Sequence, residues 1–176
     1  MNEKYWAERQ AEQQINLLDK HTRDYEKRLA VEYRNCLRKV KEQLVDLYDD
    51  ILVDSKNGTL LVSDLYRYNR YYELINTLNS NLKKLGYAEI KITEDELMKM
   101  YMATTDLVAN TFSMSVGYDM NLAKKCLDAV WCSDGKHWSD RIWDNKTKLQ
   151  EVIEKGLIDC VSRGASKRDL IAELRQ

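Results

Sequence analysis

"INLLDKHTRDYEKRLAVEYRNCLRKVKEQLVDLYDDI", Ile15 to Ile51, contains neither proline nor glycine. Its apolar or near-apolar positions are Ile15, Leu18, Thr22, Tyr25, Leu29, Tyr33, Cys36, Val40, Leu44, Leu47 and Ile51, always three or four apart. The mean interval is 3.6 residues, the period of a straight α-helix, whereas a strict heptad coiled coil would average 3.5. Without a helix breaker the segment runs from about Glu3 to Val53, its first two turns, before Ile15, being polar and open to fraying. Fifty residues rising 1.5 Å each span roughly 75 Å, longer than a compact domain of this size covers. Part of this helix is therefore expected to project toward a partner or to pack against a second copy of the chain.

Composition points the same way. Among 176 residues there is no proline and there are only six glycines, too few for many tight turns between strands. Charged residues make up 32% and hydrophobic ones 44%, which suits long helices with wet outer faces. The net charge of −1 gives no global attraction to nucleic acid. The opening MNEKYWAERQAEQQ lacks the apolar core of a secretory signal, and no apolar run reaches membrane-spanning length. Cys36, Cys126, Cys132 and Cys160 match neither a zinc knuckle nor a disulfide framework. They read as reduced, small core residues of an intracellular protein.

Further along, DSKNGT (Asp54 to Thr59) marks a turn centred on Asn57-Gly58. A second helix is expected from Asp64, capped by Ser63, to Leu85, with Leu65, Tyr68, Tyr72, Ile75 and Leu78 inward and Gly86 as its stop. YAEIKI reads as an extended connector, and Thr93-x-x-Glu96 as a capping box opening a third helix over 94–113. A fourth covers about 120–131. Ser139 then caps a helix that runs to Gly164, with Trp138 folding back on Trp143 as a hydrophobic staple. Ser166 opens a last short helix, so the chain is expected to end in a helix–turn–helix hairpin. The fold class is all-α: a long helix over 1–57, partly projecting, packed with about five shorter helices over 58–176.

The run Trp138-Ser139-x-Arg141-Ile142-Trp143-x-Asn145-x-x-Lys148-Leu149, followed by Gly156-Leu157, Arg163-Gly164, Ser166 and Asp169-Leu170, resembles the minor head proteins of tailed bacteriophages, the phage head morphogenesis or Mu F-like family. The opening Tyr5 to Gln10 is similar to members from phages of Gram-positive hosts. The likeness covers about the last forty residues well and the first fifty loosely. It implies a structural protein of the virion, present in few copies at the portal vertex inside the head and in the host cytoplasm during assembly. It further implies a part in head assembly, DNA packaging or DNA ejection. The chain would then be either the N-terminal helical part of a longer protein or a short version. The Cys-rich end that looks metal-binding in longer members has no counterpart here.

The residues offer little catalytic chemistry. His21 lies on a wet helix and His137 in a loop, without a second ligand or a nucleophile at helical spacing. The acids Asp49-Asp50 and Glu94-Asp95-Glu96 read as solvated helix ends. No enzyme, no metal and no cofactor is expected. A zinc site from Cys126, Cys132, Asp134 and His137 would need an atypical C-x5-C spacing. The tryptophans read first as structural; the docking reading makes Trp138, Arg141 and Trp143 the partner-binding residues. Between Lys20 and Lys41 eight bases face three acids. Lys20, Arg23, Lys27, Arg34, Arg38 and Lys41 are the candidate nucleic-acid contacts, for weak and sequence-blind binding to phage DNA. A helical nucleic-acid-binding module is accordingly the alternative function.

Overall fold

The structure is a computed structural model that describes residues 3–54, 69–163, 168–169 and 172. Four helices account for the described elements: α1 (Glu3–Asp54), α2 (Arg70–Thr111), α3 (Met120–Leu127) and α4 (Trp138–Ser162). No strand occurs among the described residues. None of the described helices is long and apolar enough to cross a membrane. The Asn57-Gly58 turn, the Ser63 cap, Leu65, Tyr68, the Gly164 stop and the Ser166 cap lie outside the described residues.

The chain clusters into two units, and α1 and α2 each contribute to both. One unit comprises 32–87 and 141–176. Its core is Val40 and Leu44 of α1, Leu74, Leu78 and Leu82 of α2, and Leu157 and Cys160 of α4. Each fully buried aliphatic side chain of this kind contributes about 1.5–3 kcal/mol. Cys36, Leu47, Tyr71, Ile75, Leu149 and Ile153 pack around them. Tyr72, expected inward, is 58% exposed, and its neighbour Tyr71 takes the core side. Polar pairs also hold the helices: Asn81 Nδ2 donates to Gln43 Oε1 at 3.0 Å, and the buried Lys146 ammonium donates to the Tyr33 hydroxyl.

Gly86 does not stop a helix. Helix α2 runs through it without a break for 42 residues, so the expected connector and capping box are both interior turns. Thr93 Oγ1 bonds back to Glu89 O at 2.8 Å, as a mid-helix threonine does. The reason for the glycine is steric. A Cβ at position 86 would lie 2.5 Å from Cζ3 of Trp143. The indole of α4 thus occupies the space a side chain would need, and Tyr87 meets its ring edge-on at 5.1 Å between centroids. Of the about five shorter helices expected, the first two are one helix, and the last, opened by Ser166, falls largely outside the described residues, so three are described.

The other unit comprises 1–31 and 88–140. Here α1 turns Leu17 and His21 inward, while Ile15 and Leu18 are 58% and 47% exposed. Helix α2 ends in a Schellman turn: Met114 N donates to Ala109 O, Ser113 N donates to Asn110 O, and Ser113 takes φ 51°. Asp119 caps α3 by accepting from Asn121 N and Leu122 N. At the other end of α3, three ring N–H groups bond the last two carbonyls of the helix. Trp131 Nε1 donates to Cys126 O at 2.7 Å, while Trp138 Nε1 and His137 Nε2 both donate to Leu127 O at 2.9 Å.

Helix α4 starts two residues earlier than expected, with Trp138 already helical and Ser139 not the cap. Asp140 Oδ2 reaches back to accept from His137 N at 3.1 Å, the return half of a capping box. The expected staple is replaced: Trp138 serves α3, and Trp143 serves α2.

Glycine-to-alanine changes inside helices ordinarily stabilise by roughly 0.5–1 kcal/mol. Gly86→Ala is expected to do the opposite, costing about 1–2 kcal/mol as the new methyl displaces the indole. In a Trp143→Ala background the same change becomes neutral or stabilising. Thermal melts of the two singles and the double variant check the sign reversal.

Candidate functional site

Two arrangements in the unit formed by 1–31 and 88–140 carry more than packing. The first is a polar cluster between α1 and α2. The inward stride of α2 runs Leu74, Leu78, Leu82, Leu85, Glu89, Ile92, Glu96, every member buried. At Glu96 the stripe places a carboxylate where a leucine would otherwise sit. His21 Nδ1 lies 2.5 Å from Glu96 Oε1, Arg28 Nη1 donates to Oε2 at 3.4 Å, and Lys99 Nζ donates to the same oxygen at 3.3 Å. Arg28 also reaches Asp95 at 2.9 Å, and the Tyr25 and Thr93 hydroxyls meet at 3.2 Å. His21, expected on a wet face, keeps only 12% of its side chain exposed. The expected solvation of Glu96 is corrected likewise; Glu94 and Asp95 do remain exposed.

Burial is the largest influence on the Glu96 carboxyl and pushes its pKa up. The hydrogen bonds from His21 and Lys99, with the charges of both, outweigh it, so the group ends below the ordinary glutamate range. The arrangement holds a carboxylate ionised. With its oxygens already taken by His21, Arg28 and Lys99, it does not offer a base poised near neutrality.

The second arrangement is an apolar groove with a cavity volume of about 470 Å3. Met98, Tyr101 and Val108 of α2 form one wall; Val116, Leu127 of α3 and Trp131 form the other. Of that lining, Val108, Val116 and Trp131 are 38%, 45% and 56% exposed. Tyr101 OH spans the entry to α3, lying 3.2 Å from both the backbone N and O of Asp119. Methionines and aromatics on an open apolar surface suit protein contact, because they repack around a partner at little cost. SMSVGYD, Ser113 to Asp119, joins the helices expected over 94–113 and about 120–131. Its apolar Val116, outside any helix, is the signal that could have marked this surface.

The residues singled out from sequence are placed as follows. Trp138 and Trp143 are half-buried, and Arg141 is exposed. Lys20, Arg23, Lys27, Arg34 and Arg38 are exposed, and Lys41 is half-buried. Cys160 is buried and Cys36 half-buried, but Cys126 and Cys132 are exposed, so two of the four cysteines are not core residues. Burial pushes the Cys36 thiol up, against the opposing pull of Lys146 and Lys39. Among the described residues, no three histidine, cysteine, aspartate or glutamate side chains gather to hold a metal ion. His137 donates from Nε2 to a carbonyl and accepts from Ser139 at Nδ1, so its neutral Nε2–H tautomer is the one the bonds require.

The lowered pKa of Glu96 has a defined consequence. A folded value below the unfolded one means that the carboxylate's stabilisation is fully present above the ordinary glutamate pKa of about 4.3, and is lost as pH falls through the folded value. Glu96→Gln is expected to destabilise by about 1–3 kcal/mol at pH 7. The gap between wild type and variant should narrow as pH falls below the ordinary glutamate range, in urea titrations at each pH. No family, no curated protein and no solved structure matches this chain.

Proposed function

We propose that this chain is a structural minor head protein of a tailed phage or prophage, which docks at the portal vertex and assists head assembly, DNA packaging or DNA ejection. In this reading it is a virion component of the head interior, present in few copies, and it acts by contact and not by catalysis. The observation that carries the reading is the resemblance of the run from Trp138 to Leu149. Those residues have structural duties on α4: Ile142 is buried, Trp143 fills the notch at Gly86, and Trp138 completes the end of α3. A motif made of such residues marks a shared way of folding, which is what membership in a structural family requires.

The groove between α2 and α3 supports a docking role. Its lining is mostly apolar and includes the exposed Val108, Val116 and Trp131, and large exposed apolar patches mark interaction sites. Portal protein is the occupant the resemblance supplies. With two tryptophans engaged inside the chain, Arg141 is the member of the expected docking set that stands exposed.

Purified chain mixed with the portal protein of the same phage is expected to co-elute in gel filtration. Val108→Asp combined with Val116→Asp, both in the groove lining, should reduce co-elution at least about tenfold, because two buried charges would oppose docking. Both sites are exposed, so thermal stability should stay within about 0.5 kcal/mol of the parent. Failure of the unmodified chain to co-elute would remove the portal reading; undiminished co-elution of the double variant would move docking to another surface.

A further inference from the structure

We propose that one face of α1 tracks the phosphate backbone of duplex nucleic acid without reading its sequence. Of the eight bases between Lys20 and Lys41, the helix sorts six onto one line. Lys20, Arg23, Lys27, Arg34, Arg38 and Lys41 follow one another at intervals of 3, 4, 7, 4 and 3 residues on a single helix. At roughly 100° per residue they fall within a stripe roughly 60° wide and roughly 31 Å long. Arg28 and Lys39 lie off it, and Arg28 is engaged with Asp95 and Glu96. The stripe lies on the far side of α1 from Tyr25, Cys36 and Val40, which face the packed helices.

The stripe contains no acid. Asp24 and Glu42 flank it, and they make only exposed, weak pairs with Lys27 at 3.9 Å and Arg38 at 2.8 Å. Lys20, Arg23 and Lys41 make no ion pair with any described residue. A straight file of cations over about 30 Å matches a linear polyanion carrying one charge per about 1.7 Å of axis. A folded acidic protein seldom presents such a line, since its surface mixes both signs. The stripe also lacks aromatic side chains, which single-stranded ligands require for base stacking. These features select the duplex backbone. The inference stands independently of portal docking.

The test is fluorescence anisotropy of a labelled duplex of about 30 base pairs and mixed sequence, titrated with the full chain from about 50 to 300 mM salt. Six contacts predict a slope of log K against log salt of about −5. Lys20→Gln, Arg23→Gln and Lys27→Gln together should bring it to about −3, as should the triple at Arg34, Arg38 and Lys41. Glutamine at the exposed off-stripe positions Lys39, Lys91 and Lys155 should leave the slope unchanged. Equal effects of on-stripe and off-stripe triples would overturn the proposal. So would the absence of binding at about 50 mM salt. Displacement of the duplex by polyglutamate at equal charge concentration would also overturn it, in favour of an acidic protein partner.

Discussion

The indole of Trp143 sits where the first carbon of any side chain at position 86 would be. Much of the unit around it follows from that fit. Helix α4 can approach α2 at this point only because α2 carries a hydrogen there. The approach brings Leu157 and Cys160 into the same core as Leu74, Leu78 and Leu82. The glycine lowers helix propensity by about 1 kcal/mol, and α2 is nonetheless continuous because its turns on both sides are held by packing. Tertiary contact outweighs local preference here by several buried side chains to one residue.

A different constraint governs 1–31 and 88–140. There the inward stripe of α2 carries Glu89 and Glu96, and a buried carboxylate is tolerable only when it is ionised against cations or hydrogen-bonded. His21, Arg28 and Lys99 provide those partners for Glu96. Such a network is weak evidence of high stability, since hydrophobic replacements often do as well, but it discriminates strongly between registers of α1 on α2. Sliding α1 by one turn would leave the carboxylate facing the wrong residues. The apolar surface between α2 and α3 is the complement of this arrangement: polar groups are satisfied inside while methionine, valine and tryptophan stand outside.

Much of α1 was legible from residue order. The 3.6-residue recurrence from Tyr25 to Leu47 named its inward face, and Cys36, Val40 and Leu44 lie on it. It failed at Ile15 and Leu18, because periodicity reports a possible face and not whether another element covers it. The end of α2 near Ser113 was also readable, since a change from periodic to small and polar residues is a local signal. The break at Gly86 was misread for the opposite reason. A glycine stops a helix in one context and admits a neighbour in another, and the deciding atom belongs to residue 143.

The sequence by itself determined that the chain is helical, where its longest helix runs and which cations share one face of it, because each depends only on the backbone's own repeat. Tertiary structure alone decided that Gly86 is a notch, that Glu96 is buried with His21, that the tryptophans near 131–143 divide their duties between α3 and α2, and that an apolar groove stays open. Each of those outcomes depends on atoms many residues away. A helical repeat says what a residue's neighbours along the helix are, and is silent on what arrives from elsewhere in the chain.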